Sequence, residues 1–248
     1  MKQNAEKQIR WFAVAAVVLL AFQGVAHADT FGNILFIGDS ITEGNATRTA
    51  GDGNYSWRYQ FWKSLVANGD SYQFVGSRTA NENGSTTYPT YDSQTFPNRH
   101  EAKWGTTSLE RMNWLSSHWG DLNRDGSNYA ADTAFLFVGG NATPTSGLSA
   151  STRDQIIGEL GTMVDSMQAA NANVNVYLLG IIPRYLTDTN ADGFKDTPDA
   201  RNPDYATINT AMVGFQTSKT TANSTVTYVD LYNNIEPTML YDGTHTNA

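Results

Sequence analysis

An α/β fold built around a mainly parallel sheet is what this sequence predicts. Short apolar, β-rich runs alternate with longer stretches whose apolar residues recur at helical spacing, the pattern of crossover units that return each strand parallel to the last. Several runs stop at glycine or proline, as strands do where the chain leaves a sheet. The span from Asp29 to Ala248 is long enough for one sizeable core and short for two.

Taken in order, Ile34-Leu35-Phe36-Ile37 predicts a buried first strand ending in Gly38. Trp57, Phe61, Trp62, Leu65 and Val66 then recur at helical spacing, and Gln73-Phe74-Val75 predicts a second strand. Thr79 to His100, rich in Asn, Ser, Thr, Tyr and Pro, reads as a long surface loop. Ala134 to Val138 is a third strand, stopping at Gly139-Gly140. Ile156, Ile157, Leu160, Met163, Val164 and Met167 mark one face of an amphipathic helix. Val174 to Ile182 is a fourth strand closed by Pro183, Ile208, Met212 and Phe215 suggest another helix, and Val226 to Val229 a last strand.

Residues 1–28 read as a removable leader, not as part of the fold. Lys2, Lys7 and Arg10 give a basic start, Trp11 to Phe22 an apolar run, and Ala26-His27-Ala28 the small residues signal peptidase needs, so cleavage near Ala28 and a secreted, extracellular or periplasmic protein are expected. About a dozen apolar residues fall short of the roughly 20 that cross a bilayer. The chain carries 16 Lys+Arg against 24 Asp+Glu, a formal net charge of −8. Loss of a basic leader makes the remainder more acidic, which disfavours nucleic acid and anionic membranes as partners. With no cysteine, disulfides, thiol catalysis and thiolate metal sites are excluded.

In sheets of this kind ligands bind at the carboxyl ends of strands. Three groups fall there: Ser40 after the first strand, Asn141 after the third, and Asp242-Gly243-Thr244-His245 after the last. A serine nucleophile needs a base. Of His100, His118 and His245, the last is best placed, and Asp242 three residues earlier suits its other ring nitrogen. Alone, Gly-Asp-Ser is a turn and Asp-x-x-His a solvated loop; their joint placement makes them a candidate site. Gly-x-Ser-x-Gly, the α/β-hydrolase elbow, is absent.

Gly38-Asp39-Ser40-Ile41-Thr42-Glu43-Gly44, the glycine in His100-Glu101-Ala102-Lys103-Trp104-Gly105, Gly139-Gly140-Asn141 and the terminal Asp-x-x-His resemble, in order, the four blocks of the SGNH or GDSL-like hydrolases. With Phe74-Val75-Gly76-Ser77 and His100-Glu101, the first block is similar to the acetylxylan-esterase branch of carbohydrate esterases. The resemblance implies a flavodoxin-like three-layer α/β/α fold with an open site. It implies Ser40 as nucleophile, His245 as base and then acid, Asp242 as its orienting carboxylate, and an oxyanion hole from the N–H groups of Ser40 and Gly105 and the Asn141 amide. The reaction implied is two-step ester hydrolysis through an acyl-serine, without a catalytic cofactor. Three departures stand out: Ala142 where the resemblance implies Asp, Thr246 after His245 where it implies Pro, and an end at Ala248 where it implies a further helix. A base three residues from the end of the sequence is expected to fray.

Asp188-Thr189-Asn190-Ala191-Asp192-Gly193-Phe194-Lys195-Asp196-Thr197-Pro198-Asp199 is a second motif. Side-chain oxygens of Asp188, Asn190, Asp192 and Asp199, the Phe194 carbonyl and a glycine at position six suit a structural Ca²⁺ ion. The spacing resembles EF-hand and dockerin loops; a metal-free acidic turn is the alternative.

His100 and Glu101 are read as structural, and no spacing identifies a paired-carboxylate glycosidase. Trp104 and Trp114, with Tyr88 and Tyr91, suggest either a sugar-stacking platform or ordinary packing. The expectation is a monomeric secreted esterase removing short acyl groups, acetyl foremost, from a polysaccharide or another small ester. The alternatives are a lysophospholipid-type acylhydrolase and a calcium-stabilised carbohydrate-binding protein with an impaired site.

Overall fold

The computed structural model describes residues 30–44, 56–82, 84, 87–118, 131–145, 147–191, 193–240 and 242–245. The expected leader, residues 1–28, and the expected calcium ligand Asp192 lie outside the described residues.

Strand β1 (Thr30–Gly38) is an interior strand of the sheet, second in its order. Its successive side chains alternate between the two faces, Leu35 and Ile37 on one and Ile34 and Phe36 on the other. All four are buried, which is why the strand reads as a continuous apolar run and not an alternating one. On one side β2 (Ser71–Val75) pairs with the first part of β1, and β3 (Glu101–Ala102) with its last residues, Ile37 and Gly38. On the other side follow β4 (Thr133–Phe137), β5 (Asn175–Leu179) and β6 (Val226–Val229). The order is β2-β1-β4-β5-β6, with every strand pairing parallel.

A helix of four residues, α1 (Ser40–Glu43), follows β1 directly. Helix α2 (Trp57–Asn68) is started by the Ser56 side chain, which accepts from the Arg58 N–H, and stopped by Gly69 in the left-handed conformation. It packs Trp57, Phe61, Trp62 and Leu65 onto the face bearing Phe36, Phe74 and Phe135, together with Leu231, Ile235 and Leu240. The opposite face is covered by α3 (Ser108–His118), α4 (Ala150–Ala170) and α5 (Asn202–Lys219). Leu115, Ile156, Leu160, Met163, Ile208 and Met212 bury there against Leu136, Val176 and Leu178. The result is the expected three-layer α/β/α sandwich with a mainly parallel sheet.

Two features depart from the sequence reading. Strand β3 was not expected, because two residues carry no periodicity. The segment 79–100 is irregular but not simply a surface loop: Tyr88, Phe96 and His100 are buried, the first two packing on Tyr59 and Trp62 of α2.

The chain order reverses at β1, which lies between β2 and β4. Such a switch point opens a crevice at the carboxyl ends of the strands, and Ser40 and Asn141 both lie there.

Candidate active site

Ser40 is the first residue of α1, held in a turn that its neighbours define. The Asp39 side chain accepts from the Ile41 N–H at 3.0 Å. Gly38 precedes it because a side chain there would collide with Thr42. Beneath the turn, fully buried Arg58 donates to the carbonyls of Thr42 at 2.8 Å and Glu43 at 3.3 Å, putting a cation at the carboxyl end of α1. Burial pulls that guanidinium down to about 10, partly offset by Tyr88 and Glu43. Arg58 was missed from sequence, although an arginine inside Trp-Arg-Tyr-Gln-Phe-Trp is the available signal.

The chain returns to Ser40 at its carboxyl end. His245 Nε2 lies 3.0 Å from Ser40 Oγ, and Nδ1 lies 2.7 Å from Asp242 Oδ2. With the Nδ1 proton directed at the carboxylate, Nε2 is left to accept from the serine hydroxyl. The other Asp242 oxygen accepts from the N–H groups of Thr244 at 2.9 Å and His245 at 2.8 Å. Burial alone would raise the Asp242 carboxyl, but the His245 hydrogen bond and charge, with the two backbone donors, hold it at about 2.

The turn is also anchored from outside. The Tyr185 N–H donates to the Gly243 carbonyl at 2.7 Å, and Arg184 Nε to Thr244 Oγ1 at 3.2 Å. The frayed base expected from sequence is therefore tied down within the described residues. Among those ties, Arg184 and Tyr185 were not anticipated from sequence.

Strand β3 brings the third element. The Lys103 N–H donates to the Gly38 carbonyl at 3.0 Å, which carries Trp104 and Gly105 alongside the serine turn. Glu43, buried below, accepts from the Trp104 N–H and takes a 2.5 Å hydrogen bond from Arg78. Gly105 has φ +72° and is exposed. Asn141 belongs to a 3₁₀ turn, Gly140–Ala142, and its side-chain amide donates to the Thr106 carbonyl at 3.1 Å. Ala142 donates its N–H to the Gly139 carbonyl, and the Thr143 hydroxyl donates to the same oxygen.

Ser40 and Asn141 line a cavity of about 30 Å³ walled by Ile41, Phe137, Ile181 and Ile182. Asn209 of α5 fixes this wall, accepting from the Ile181 N–H and donating to its carbonyl, both at 2.8 Å. Burial pushes the Asp39 carboxyl, on the same cavity, up to about 6, against the Ile41 N–H and the charges of His245 and Arg184.

Other candidates are structural or apart. His100 is buried, accepts from the Ala102 N–H at Nδ1 and faces the Ala80 carbonyl with Nε2; burial and the charges of Arg58 and Arg78 hold it well below the usual range. Glu101 accepts from the Ser77 N–H and the Trp114 indole. The aromatic platform is not assembled: Tyr88 packs on Phe96, Tyr91 on Trp62, and Trp104 on His245.

The calcium motif fits a hard cation at its start and not at its end. Asp188 Oδ2 accepts from the Gly193 N–H at 2.9 Å, and its buried Oδ1 has no hydrogen-bond partner among the described residues. Asp199 departs from the expectation. Both of its oxygens accept from Arg201, one at 2.6 Å, and the chain there starts α5. Among the described residues no three His, Asp or Glu side chains cluster as a metal site. No described helix is long and apolar enough to cross a membrane.

The sequence pattern of the GDSL-like Lipase/Acylhydrolase family matches residues 34–248. Among curated proteins, none matches the chain. Among solved structures the chain is similar to a carbohydrate esterase family 3 protein from Talaromyces cellulolyticus, at 25% sequence identity and a TM-score of 0.60, over 87% of this chain and 88% of that one. An acetyl esterase variant solved with acetate ion gives the same identity, coverage and TM-score. TesA, at 17% identity and a TM-score of 0.51 over 86% of this chain and 88% of its own, is alike in fold. The family match takes in the serine turn, Gly105, Asn141 and the histidine turn together, and the chain belongs to the GDSL-like lipase/acylhydrolase family.

Proposed function

We propose that this acylhydrolase is a secreted serine esterase that removes short acyl groups, acetyl foremost, from a polysaccharide. The observation that carries the reading is the Asp242–His245–Ser40 relay, with spacings of 2.7 and 3.0 Å. Ser40 Oγ attacks the ester carbonyl as its proton passes to His245 Nε2. The Nδ1 proton stays on the ring, directed at the Asp242 carboxylate, which steadies the imidazolium. The oxyanion is met by the N–H groups of Ser40 and Gly105 and by the Asn141 amide, each worth about 3 kcal/mol because it meets charge only as it develops. His245 gives the proton to the leaving sugar oxygen as its bond to the acyl carbon breaks, and water then releases the acid from Ser40 by the same steps in turn.

The size of the cavity supports a short acyl group. The cavity beside Ser40 and Asn141 is small, about 30 Å³, and walled by apolar side chains, which favours a short acyl group over a long one. What the similar solved proteins are named for, carbohydrate and acetyl esterases, points the same way. In this reading residues 1–28 direct export, and the mature chain acts as a monomer on its substrate. Calcium enters as a structural ion held first by Asp188, with Asp199 having to exchange Arg201 for it; no catalytic step runs through it.

The test is turnover of p-nitrophenyl acetate against p-nitrophenyl octanoate, with acetate release from acetylated xylan, for the mature chain and Ser40→Ala. Preference for acetate that vanishes in the variant is expected. Preference for octanoate would favour the lysophospholipid-type reading, and no activity on any ester would favour the binding-protein reading.

A further inference from the structure

The ester-hydrolysis scheme gives Trp104 no task, yet its indole lies over the His245 ring with centroids 4.4 Å apart and planes 23° apart. The backbone that carries the indole is anchored from below, since the Trp104 main-chain N–H donates to buried Glu43, itself paired with Arg78. His245 is thus held by Asp242 at one nitrogen, Ser40 at the other and an aromatic face across its plane. Other charged groups around it are Asp39 beside Ser40, Arg184 bonded to Thr244, Lys195 packed beside Gly243, and Glu43 under the Trp104 backbone.

We infer that Trp104 is a positioning residue for the acyl transfer: its indole face sets the plane of the His245 ring toward Ser40 and favours the imidazolium formed in the reaction. This rests on the reading of Ser40, His245 and Asp242 as a triad. As the bond from Ser40 Oγ to the acyl carbon forms, the hydroxyl proton moves to Nε2 and the ring becomes a cation. That cation lies against the negative face of an indole, the side chain that attracts cations most strongly. The charge is discharged when the Nε2 proton passes to the leaving oxygen, so the contact is stronger in the transition state than in the resting enzyme.

The experiment compares wild type, Trp104→Phe, Trp104→Leu and Ser40→Ala on p-nitrophenyl acetate across pH. Leucine keeps apolar bulk without a π face, and Trp104→Met makes the same comparison should the leucine variant not fold. In Trp104→Leu, kcat falls about tenfold with KM within about twofold, while Trp104→Phe keeps most of the activity. The acid limb of kcat/KM moves to lower pH in Trp104→Leu, because the protonated ring has lost a favourable partner, and stays near wild type in Trp104→Phe. Were Trp104 only packing, its loss would hydrate the ring and favour the charged form, moving the limb to higher pH or leaving it in place. Either of those results overturns the inference. Undiminished turnover in Ser40→Ala overturns the triad and this inference with it; loss in Ser40→Ala beside an unmoved limb in Trp104→Leu overturns the role of Trp104 alone.

Discussion

Tyr185 approaches Gly243 so closely that a side chain on the glycine would sit 2.0 Å from the Tyr185 carbonyl oxygen. Gly243 also has φ +78°, a conformation disfavoured for residues with a Cβ. Gly243→Ala is therefore expected to push the histidine turn off its anchor. A shift of about 1 Å at the catalytic group costs roughly 100-fold in kcat. Strain of about 1–3 kcal/mol would lower the melting temperature by several degrees without unfolding the protein. Kinetics and calorimetry of the variant check both; kcat within twofold of wild type would show that the turn is not held by this contact.

Ile181, clamped by Asn209, forms a wall of the cavity at Ser40. Ile181→Ala is expected to raise kcat/KM for butanoyl relative to acetyl esters by about tenfold, since one or two methylenes in an apolar pocket are worth about 1–3 kcal/mol. An unchanged ratio would place the acyl group elsewhere.

Asp39 and Asp242 predict opposite responses to acid. Asp39 has a folded-state value near 6 against an ordinary 3.8, so the folded protein holds this proton more tightly than the unfolded chain does. The cost of its ionisation is fully present above about pH 6 and is relieved as pH falls toward 4. Asp242, near 2, contributes stability that is complete above about pH 4 and is lost toward pH 2. Asp39→Asn should thus gain stability at pH 7 and flatten the profile between pH 4 and 6, and Asp242→Asn should flatten it between 2 and 4. Denaturant melts at those pH values read the effect; a loss of stability at pH 7 in Asp39→Asn would contradict it.

Chelation addresses the Asp188 loop. EDTA is expected to lower the melting temperature and added Ca²⁺ to restore it, with Asp188→Ala insensitive to both. A wild-type melting temperature indifferent to EDTA and to Ca²⁺ would show that the loop holds no structural ion.

How far the sequence reached depends on the range of the interactions involved. β1 and its serine were legible because a parallel strand buried on both faces writes itself as an unbroken apolar run, ending where the crevice opens. The Asp242–His245 pair was legible because both residues share one turn. Gly105 was reached only through family resemblance. What sets it beside Ser40 is β3, whose two residues leave no pattern, and a hydrogen bond to Gly38 from a residue 65 positions later in the chain is not a local signal. The same holds for Trp104 on His245 and for Arg58 under α1, where buried tertiary contacts decide the role. Tyr88 and Phe96 were hidden by the polar residues around them. Asp199 fits the spacing of a calcium ligand, but Arg201 two residues on competes for the same oxygens and, in this structure, holds them.

In the proposed mechanism Ser40 carries the acyl group. Mass spectrometry of enzyme acid-quenched during turnover of p-nitrophenyl acetate tests it most directly. One acetyl group is expected on the peptide containing Ser40, absent from Ser40→Ala, whose turnover is also lost. Acetyl on a different residue, or undiminished turnover in Ser40→Ala, would contradict it.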